Sequence, residues 1–248
     1  MSEDAVFANK AGSRIATTMD RDIEFLERIG NRTSALFFTE QQRVHRLADV
    51  RFALMMAVQW VALTCVVSVI GIIRLSQTSA SGSFLSLWST SVIGGAISVG
   101  PIFLGLVRPG HRLTRYAIAA GQMFMAAWLI HVAGGRPDSH LIVFASLGLL
   151  ALYREQPVLL FAAAIAVADH VIRGIGWPAS LIGVASPSPL RWMTHVAWLI
   201  AETAVLFAVC KQSLIRAWDL AERGAQVEAL QEGTTLTHRL KQHLKIAA

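Results

Sequence analysis

The sequence predicts an all-α polytopic membrane helix bundle with about six transmembrane helices and with cytoplasmic helices at both termini. Two observations lead to this fold class. The chain of 248 residues is 54% hydrophobic and only 15% charged, whereas soluble domains carry about 25% charged residues. Its apolar residues also gather in blocks about as long as a bilayer is thick, instead of forming amphipathic stripes.

The first predicted region is residues 1–50, a cytoplasmic helical arm. It has no apolar core, and charged residues such as Glu3, Asp4 and Arg14 argue against a cleavable signal peptide. The first apolar block is therefore expected to act as the insertion signal. A helical pattern through Ile23 and Leu26 predicts a helix that lies along the membrane or packs on a neighbouring subunit.

The second predicted region is residues 51–210, a transmembrane domain of six helices. Its apolar blocks cover residues 52–73, 84–107, 113–132, 137–153, 157–175 and 192–210. The third region, residues 211–248, is a polar cytoplasmic helix. A broken heptad-like stripe through Leu214, Trp218, Val227 and Leu230 predicts either a dimeric signalling helix or a simple amphipathic tail.

The orientation follows from the basic residues in the loops, because cytoplasmic loops are enriched in Lys and Arg. With the N-terminus inside, four basic residues lie outside: Arg74, Arg136, Arg173 and Arg191. Nine then lie inside: Arg43, Arg46, Arg51, Arg108, Arg112, Arg115, Arg154, Lys211 and Arg216. This asymmetry predicts that both termini of a multi-pass membrane protein are cytoplasmic.

The net charge of +6 raises the question of a nucleic-acid partner. The basic residues sit beside the apolar blocks, where a membrane protein needs them to fix its orientation, and no basic-aromatic surface stands out. We therefore expect a lipid bilayer and no nucleic acid as the partner of these residues.

Ionisable residues inside the apolar blocks carry the functional prediction, because such residues are costly in a bilayer and usually face a polar cavity. On the predicted topology they collect towards the outer side. The candidate ligands are four histidines at the ends or in the outer parts of four helices, together with one carboxylate two turns deeper: His131, His140, His170, His195 and Glu202.

Three imidazoles and one carboxylate form a suitable ligand set for zinc, copper or non-haem iron. The neighbouring Asp169 and Arg173 are expected to line the pocket or to orient the histidines. Haem is a weaker candidate, because nothing fixes a histidine pair across facing helices. The alternative is that each histidine is an interfacial residue with satisfied hydrogen bonds. No Ser-His-Asp or Cys-His order indicates a hydrolase, so no catalytic residue is assigned.

These motifs resemble the histidine-rich multi-span input domain at the N-terminus of bacterial sensor histidine kinases and chemoreceptor-like signalling proteins. The resemblance covers about residues 43–215. It rests on the runs at 131–140, 150–154, 168–174, 177–178 and 191–202, which read HVAGGRPDSH, LALYR, ADHVIRG, WP and RWMTHVAWLIAE. Their joint spacing is the specific feature.

The resemblance implies a sensory role for the region 51–210 and a ligand site built from the five candidate ligands. Asp138 and Trp198 are assigned with Asp169 and Arg173 to the surroundings of that site. Two departures from the family pattern bear on the ligand. Ile142 and the segment beginning at Ser86 stand where the family often has histidine. A site without those histidines is expected to bind a different metal, bind more weakly or remain empty.

No kinase, cyclase or methyl-accepting domain lies within the 248 residues. The chain is therefore expected to be an isolated input module, to signal through a separate cytoplasmic partner, or to be part of a longer protein. A homodimer is expected, because signalling through a terminal helix usually needs a partner helix. The rival functions are a membrane electron carrier or metal- or haem-dependent oxidoreductase subunit, and a small transporter or accessory subunit in which Asp169 and Glu202 relay ions.

Overall fold

A computed structural model describes residues 3–77, 82–183 and 189–247. These residues are almost entirely helical and include no strand, which confirms the predicted all-α class. Two short 3₁₀ helices, Pro137–His140 and Ala151–Tyr153, flank α4. The α-helices of the described part are α1 (Glu3–Gln77), α2 (Gly82–Val107), α3 (Arg112–Val132), α4 (Leu141–Leu150), α5 (Gln156–Gly176), α6 (Pro178–Ile182) and α7 (Pro189–Ala247).

Four of the described helices contain a stretch that is long and apolar enough to cross a membrane. The stretches are Ile23–Val69, Trp88–Val107, Gln156–Gly176 and Leu190–His243. Pro137–Tyr153 is apolar but shorter, and α3 is not among the four. Long apolar helices of this kind fit a membrane protein. The finer expectation of six spans remains a prediction.

The composition of α3 follows from its position in the bundle. It packs against α2, α4 and α5, so little of its surface is left for lipid. Ile118, Met123 and Ala126 are buried in the core, and the polar Arg115 and Gln122 are buried as well. A helix enclosed by other helices can carry polar residues that a lipid-facing helix cannot, and such residues lower its mean hydropathy.

Close helix approach in the bundle depends on small residues. The indole of Trp60 lies over Gly94 and Gly95, where an added Cβ would come within 3.1 Å of the ring. Its indole nitrogen donates a hydrogen bond of 2.9 Å to the carbonyl of Ser91. Small residues at helix contacts let backbones approach closely, which is how membrane helices pack without a hydrophobic driving force between them.

By internal contacts the chain divides into two units, Gln42–Ser213 and the pair Met1–Gln41 with Leu214–Ala248. The first unit contains the helix bundle with its core. In the second, the N-terminal part of α1 contacts the C-terminal part of α7. Arg32 pairs with Glu228 at 2.6 Å, and the rings of Phe37 and Trp218 meet edge to face at 5.3 Å.

Candidate functional site: a histidine cluster at one end of the bundle

The connection between α3 and α4 brings His140 into the bundle. Gly134 and Gly135 both have positive φ, a conformation that favours glycine, and together they reverse the chain after α3. A Cβ on Gly135 would clash with the backbone of Ile182 and Gly183. The connection therefore lies directly against the end of α6, and the 3₁₀ helix that follows it buries His140.

Three histidines from three different elements have their rings in contact. We call His140, His170 and His195 the histidine cluster. The His140 and His195 rings stack with centroids 4.4 Å apart and planes 12° apart. The His170 ring lies 5.6 Å from that of His140 and 6.3 Å from that of His195. The fold thus brings together three residues that are up to 55 positions apart in the sequence.

Two members of the cluster are held by their own helices in the same way. Nδ1 of His170 lies 2.8 Å from the carbonyl oxygen of Ala166, and Nδ1 of His140 lies 3.2 Å from that of Arg136. A neutral ring bonded to a carbonyl in this way carries its proton on Nδ1 and leaves Nε2 as an acceptor. Nε2 of His140 is buried and has no hydrogen-bond partner among the described residues.

His195 differs from the other two, because its ring is only half-buried and no hydrogen bond to a described residue fixes it. The stacked arrangement is not a coordination sphere as it stands. Among the described residues, no group of three or more His, Cys, Asp or Glu side chains has the geometry to hold a metal ion.

His131 lies apart from the cluster in its ring contacts. Its ring lies between Trp128, at 5.2 Å, and Trp177, at 5.0 Å. Nδ1 of His131 is buried, and no described residue forms a hydrogen bond with it. The predicted set of four histidines therefore divides into three in mutual ring contact and one enclosed by indoles.

Asp169 and Arg173 form an ion pair beside the cluster. Arg173 Nε donates to one carboxylate oxygen of Asp169 at 2.8 Å, and a terminal guanidinium nitrogen donates to the other. The guanidinium also contacts the carbonyl and hydroxyl oxygens of Ser180 at 3.4 and 3.3 Å. Asp169 lies 3.7 Å from Nδ1 of His170, so the pair links α5 and α6 around the most buried histidine.

The other three predicted residues lie at a distance from the cluster or on the surface. Asp138 is exposed and pairs with the equally exposed Arg136 at 3.4 Å. Trp198 is 68% exposed on α7. Glu202 is half-buried, and its buried Oε2 has no hydrogen-bond partner within the described part of the chain. Glu202 lies seven positions after His195 on α7, which corresponds to about 10 Å along the axis.

A second polar network lies at the opposite end of the bundle, and the sequence reasoning did not assign it. Asp49 is fully buried on α1. It accepts hydrogen bonds from the Tyr153 hydroxyl at 2.7 Å and from the backbone N–H of Gly110 at 2.6 Å. Arg115 donates to Glu155 at 2.9 Å and to the carbonyl of Gly110 at 3.1 Å.

We call these residues, with His45 at 3.4 Å from Glu155, the Asp49 network. Its two carboxylates, the buried Asp49 and the half-buried Glu155, are joined to α1, to the turn between α2 and α3, and to the start of α5. The sequence signal was a carboxylate just before the first apolar block, together with the run LALYR. Because its groups are paired with one another, we interpret the Asp49 network as a set of contacts that stabilises this end of the bundle, and not as a ligand site.

Comparison with known proteins does not identify a family. A scan against protein-family models, a search of curated proteins and a search of solved structures each gave no match. The histidine cluster and the sequence motifs that contain its three histidines are therefore the basis for a function.

Proposed function

We propose that this protein is a membrane-embedded sensory module whose pocket at the histidine cluster binds a transition-metal ion, with zinc, copper and iron as candidates. One observation carries the proposal. Three imidazoles from three elements lie in ring contact, and two of them are tied by Nδ1 to a backbone carbonyl. Metal-binding histidines are typically oriented through their second ring nitrogen in this way.

The buried and unpaired Nε2 of His140 supports the same proposal. A buried polar atom without a partner costs free energy, and such atoms often mark a missing ion, water or ligand. Rotation of His195 brings a third nitrogen towards the first two, and water or a small ligand completes a tetrahedral zinc or copper site. Glu202 lies about 10 Å further along α7 than His195, and its part as a ligand remains a prediction.

Haem does not suit this arrangement. Histidine rings that are already in contact, with centroids 4.4–6.3 Å apart, leave no room for a macrocycle between any two of them. A bis-histidine haem site places the porphyrin between its two axial ligands. An electron carrier that uses a metal ion other than haem iron suits the rings as they are packed.

The signalling part of the proposal rests on α7 and on the resemblance to input domains of bacterial sensors. α7 begins at Pro189, carries His195, and continues as one helix to Ala247. Metal binding that pulls His195 out of its stack acts directly on this helix. A change in its position or rotation shifts the population of two packing states, provided the metal binds one state more tightly.

On this proposal the chain crosses the inner membrane six times, with the cluster on the outer side and both termini in the cytoplasm, where a separate signalling partner reads α7. A homodimer is included because apolar residues of the C-terminal part of α7 stay exposed: Leu220, Val227 and Leu230. Light scattering on the detergent-purified protein checks this part, and a monomer at micromolar concentration rejects it.

The first test is elemental analysis by plasma mass spectrometry of purified protein, before and after incubation with each ion. The wild type is expected to hold close to one metal ion per chain, and a His140→Ala/His170→Ala variant is expected to lose it. The matched control is His238→Ala/His243→Ala, which removes two exposed histidines of the C-terminal part of α7. A well-folded cluster variant with the wild-type metal content rejects the metal site.

A proton or ion relay is the second candidate function, and Glu202 is the observation that favours it. Its Oε2 is buried in the middle of an apolar segment of α7, and none of the described residues forms a hydrogen bond with it. Carboxylates in such positions usually face an ion pathway. Ion flux in proteoliposomes that disappears in Glu202→Gln supports a transporter, whereas the absence of flux in the wild type rejects it and leaves the sensor.

A further inference from the structure

A cavity lies between α1, α4 and α7 within the helix bundle, at the end that carries the Asp49 network. Its volume is about 590 Å³, which is in the range of ligand pockets. Its walls include Phe52 and Met55 from α1, Leu149 from α4 and Leu206 from α7. Apolar walls of this kind suit an alkyl chain.

Two arginines, Arg51 and Arg154, are the only charged residues in its lining, and no carboxylate accompanies them. Among the described residues, neither arginine forms an ion pair, whereas the neighbouring Glu155 is paired with Arg115. Two cations without a carboxylate at the border of an apolar cavity complement an anionic headgroup. Basic pockets between transmembrane helices are known as phospholipid headgroup sites.

The backbone conformation of Arg154 also supports an anionic headgroup at this cavity. Arg154 has φ of 56° and is the only non-glycine residue with positive φ in the described part of the chain. Glycine or asparagine fits that conformation with less strain. A strained residue that contributes a charge to a cavity is a candidate for a functional contact.

We propose that this cavity is a specific site for an anionic phospholipid. One acyl chain occupies the apolar walls, and the phosphate lies between Arg51 and Arg154. The site is separate from the histidine cluster, so the proposal stands or falls independently of the proposed metal.

The test is native mass spectrometry of the full chain in mixed micelles that contain equal amounts of phosphatidylglycerol and phosphatidylcholine with identical acyl chains. A basic residue near a headgroup contributes about 1 kcal/mol, so two arginines correspond to a preference of about thirtyfold for the anionic lipid. Arg51→Gln/Arg154→Gln is expected to abolish the preference. The exposed Arg112→Gln, outside the cavity, is the control and is expected to retain it.

A steric variant tests the acyl-chain part. Gly148 lines the cavity, and a Cβ on it would meet no atom within 4 Å. The Cβ of Gly148→Phe therefore does not clash, and the phenyl ring fills the cavity. Gly100 on α2 is exposed and equally unobstructed, so Gly100→Phe is the matched control. We expect Gly148→Phe to lose the bound lipid and Gly100→Phe to keep it.

Three results overturn the proposal. The first is equal retention of the two lipids by the wild type, which indicates ordinary annular lipid. The second is an unchanged preference in the double arginine variant. The third is a dimer mass that Gly148→Phe removes and Gly100→Phe does not, because the occupant of the cavity would then be a second copy of this chain.

Discussion

At the scale of single residues, the best-defined polar contact is that between Asp49 and Tyr153. The carboxylate is fully buried and receives one hydroxyl and one backbone N–H donor. The Tyr153 ring also stacks on Phe52 at 5.2 Å. A buried carboxylate is tolerated only when it is well hydrogen-bonded, so the bundle at this end depends on the tyrosine hydroxyl.

The chain contains two tyrosines, which gives this contact a matched test. We expect Tyr153→Phe to lower the free energy of unfolding by about 1.5–3 kcal/mol, because it removes a hydrogen bond to a buried charged group. Tyr116→Phe is the control, since the Tyr116 ring packs edge to face on Phe161 and no hydrogen bond of its hydroxyl to a described residue is present. Thermal unfolding in detergent compares the two. Equal stabilities would show that Asp49 does not need the hydroxyl.

At the scale of helices, α5 and α7 hold two members of the histidine cluster at a fixed separation. Gly174 is one turn beyond His170 on α5, and its Cα faces the indole of Trp192 on α7. A Cβ added there would lie 2.7 Å from Cγ of the Trp192 indole, so the indole would have to move. The approach of His170 and His195 therefore depends on a glycine at position 174.

We expect Gly174→Ala to push α7 away from α5 and to weaken the cluster. Overpacking of this kind costs about 1–3 kcal/mol, and metal affinity measured by competition with a chelator should fall with it. Gly176→Ala is the control, because a Cβ at Gly176 meets nothing within 4 Å. Wild-type affinity in Gly174→Ala would mean that the helices adjust without disturbing the histidines.

At the scale of the whole molecule, the number of membrane crossings decides which side the histidine cluster faces. Four helices satisfy a length-and-hydropathy criterion on their own. Six crossings require that α3 and the apolar segment Pro137–Tyr153 also cross the membrane. A helix enclosed by other helices can do so although it is less apolar or shorter than a lipid-facing helix. The cluster and the Asp49 network lie at opposite ends of the bundle, so the six-span topology places them on opposite sides of the membrane.

Cysteine labelling tests that topology. In a Cys65→Ser/Cys210→Ser background, single cysteines replace exposed residues: Asp138→Cys near the cluster, and His111→Cys in the turn between α2 and α3. Glu232→Cys reports on the C-terminal part of α7. In intact cells a membrane-impermeant maleimide is expected to label position 138 and to leave 111 and 232 unlabelled until the cells are opened. Labelling of 111 and 138 from the same side would contradict six spans.

The sequence by itself determined the fold class and the residues of the candidate site. Apolar blocks of bilayer length predict helices whatever the packing, because only internal hydrogen bonding satisfies a backbone in hydrocarbon. The same logic singled out a larger set than the histidine cluster, since ionisable residues in such blocks need a polar environment: His131, His140, His170, His195 and Glu202. These inferences use local composition and spacing, which the sequence contains directly.

Only the tertiary structure decided which of these residues meet. It placed three histidines in ring contact, His131 between two tryptophans, and Glu202 two turns away along α7. It also joined Asp49 to Tyr153 across 104 positions. Such contacts depend on the rotation of each helix about its axis and on the glycines that set the spacing between helices. Both are properties of a packed pair of helices, so the hydrophobic periodicity of the sequence does not encode them.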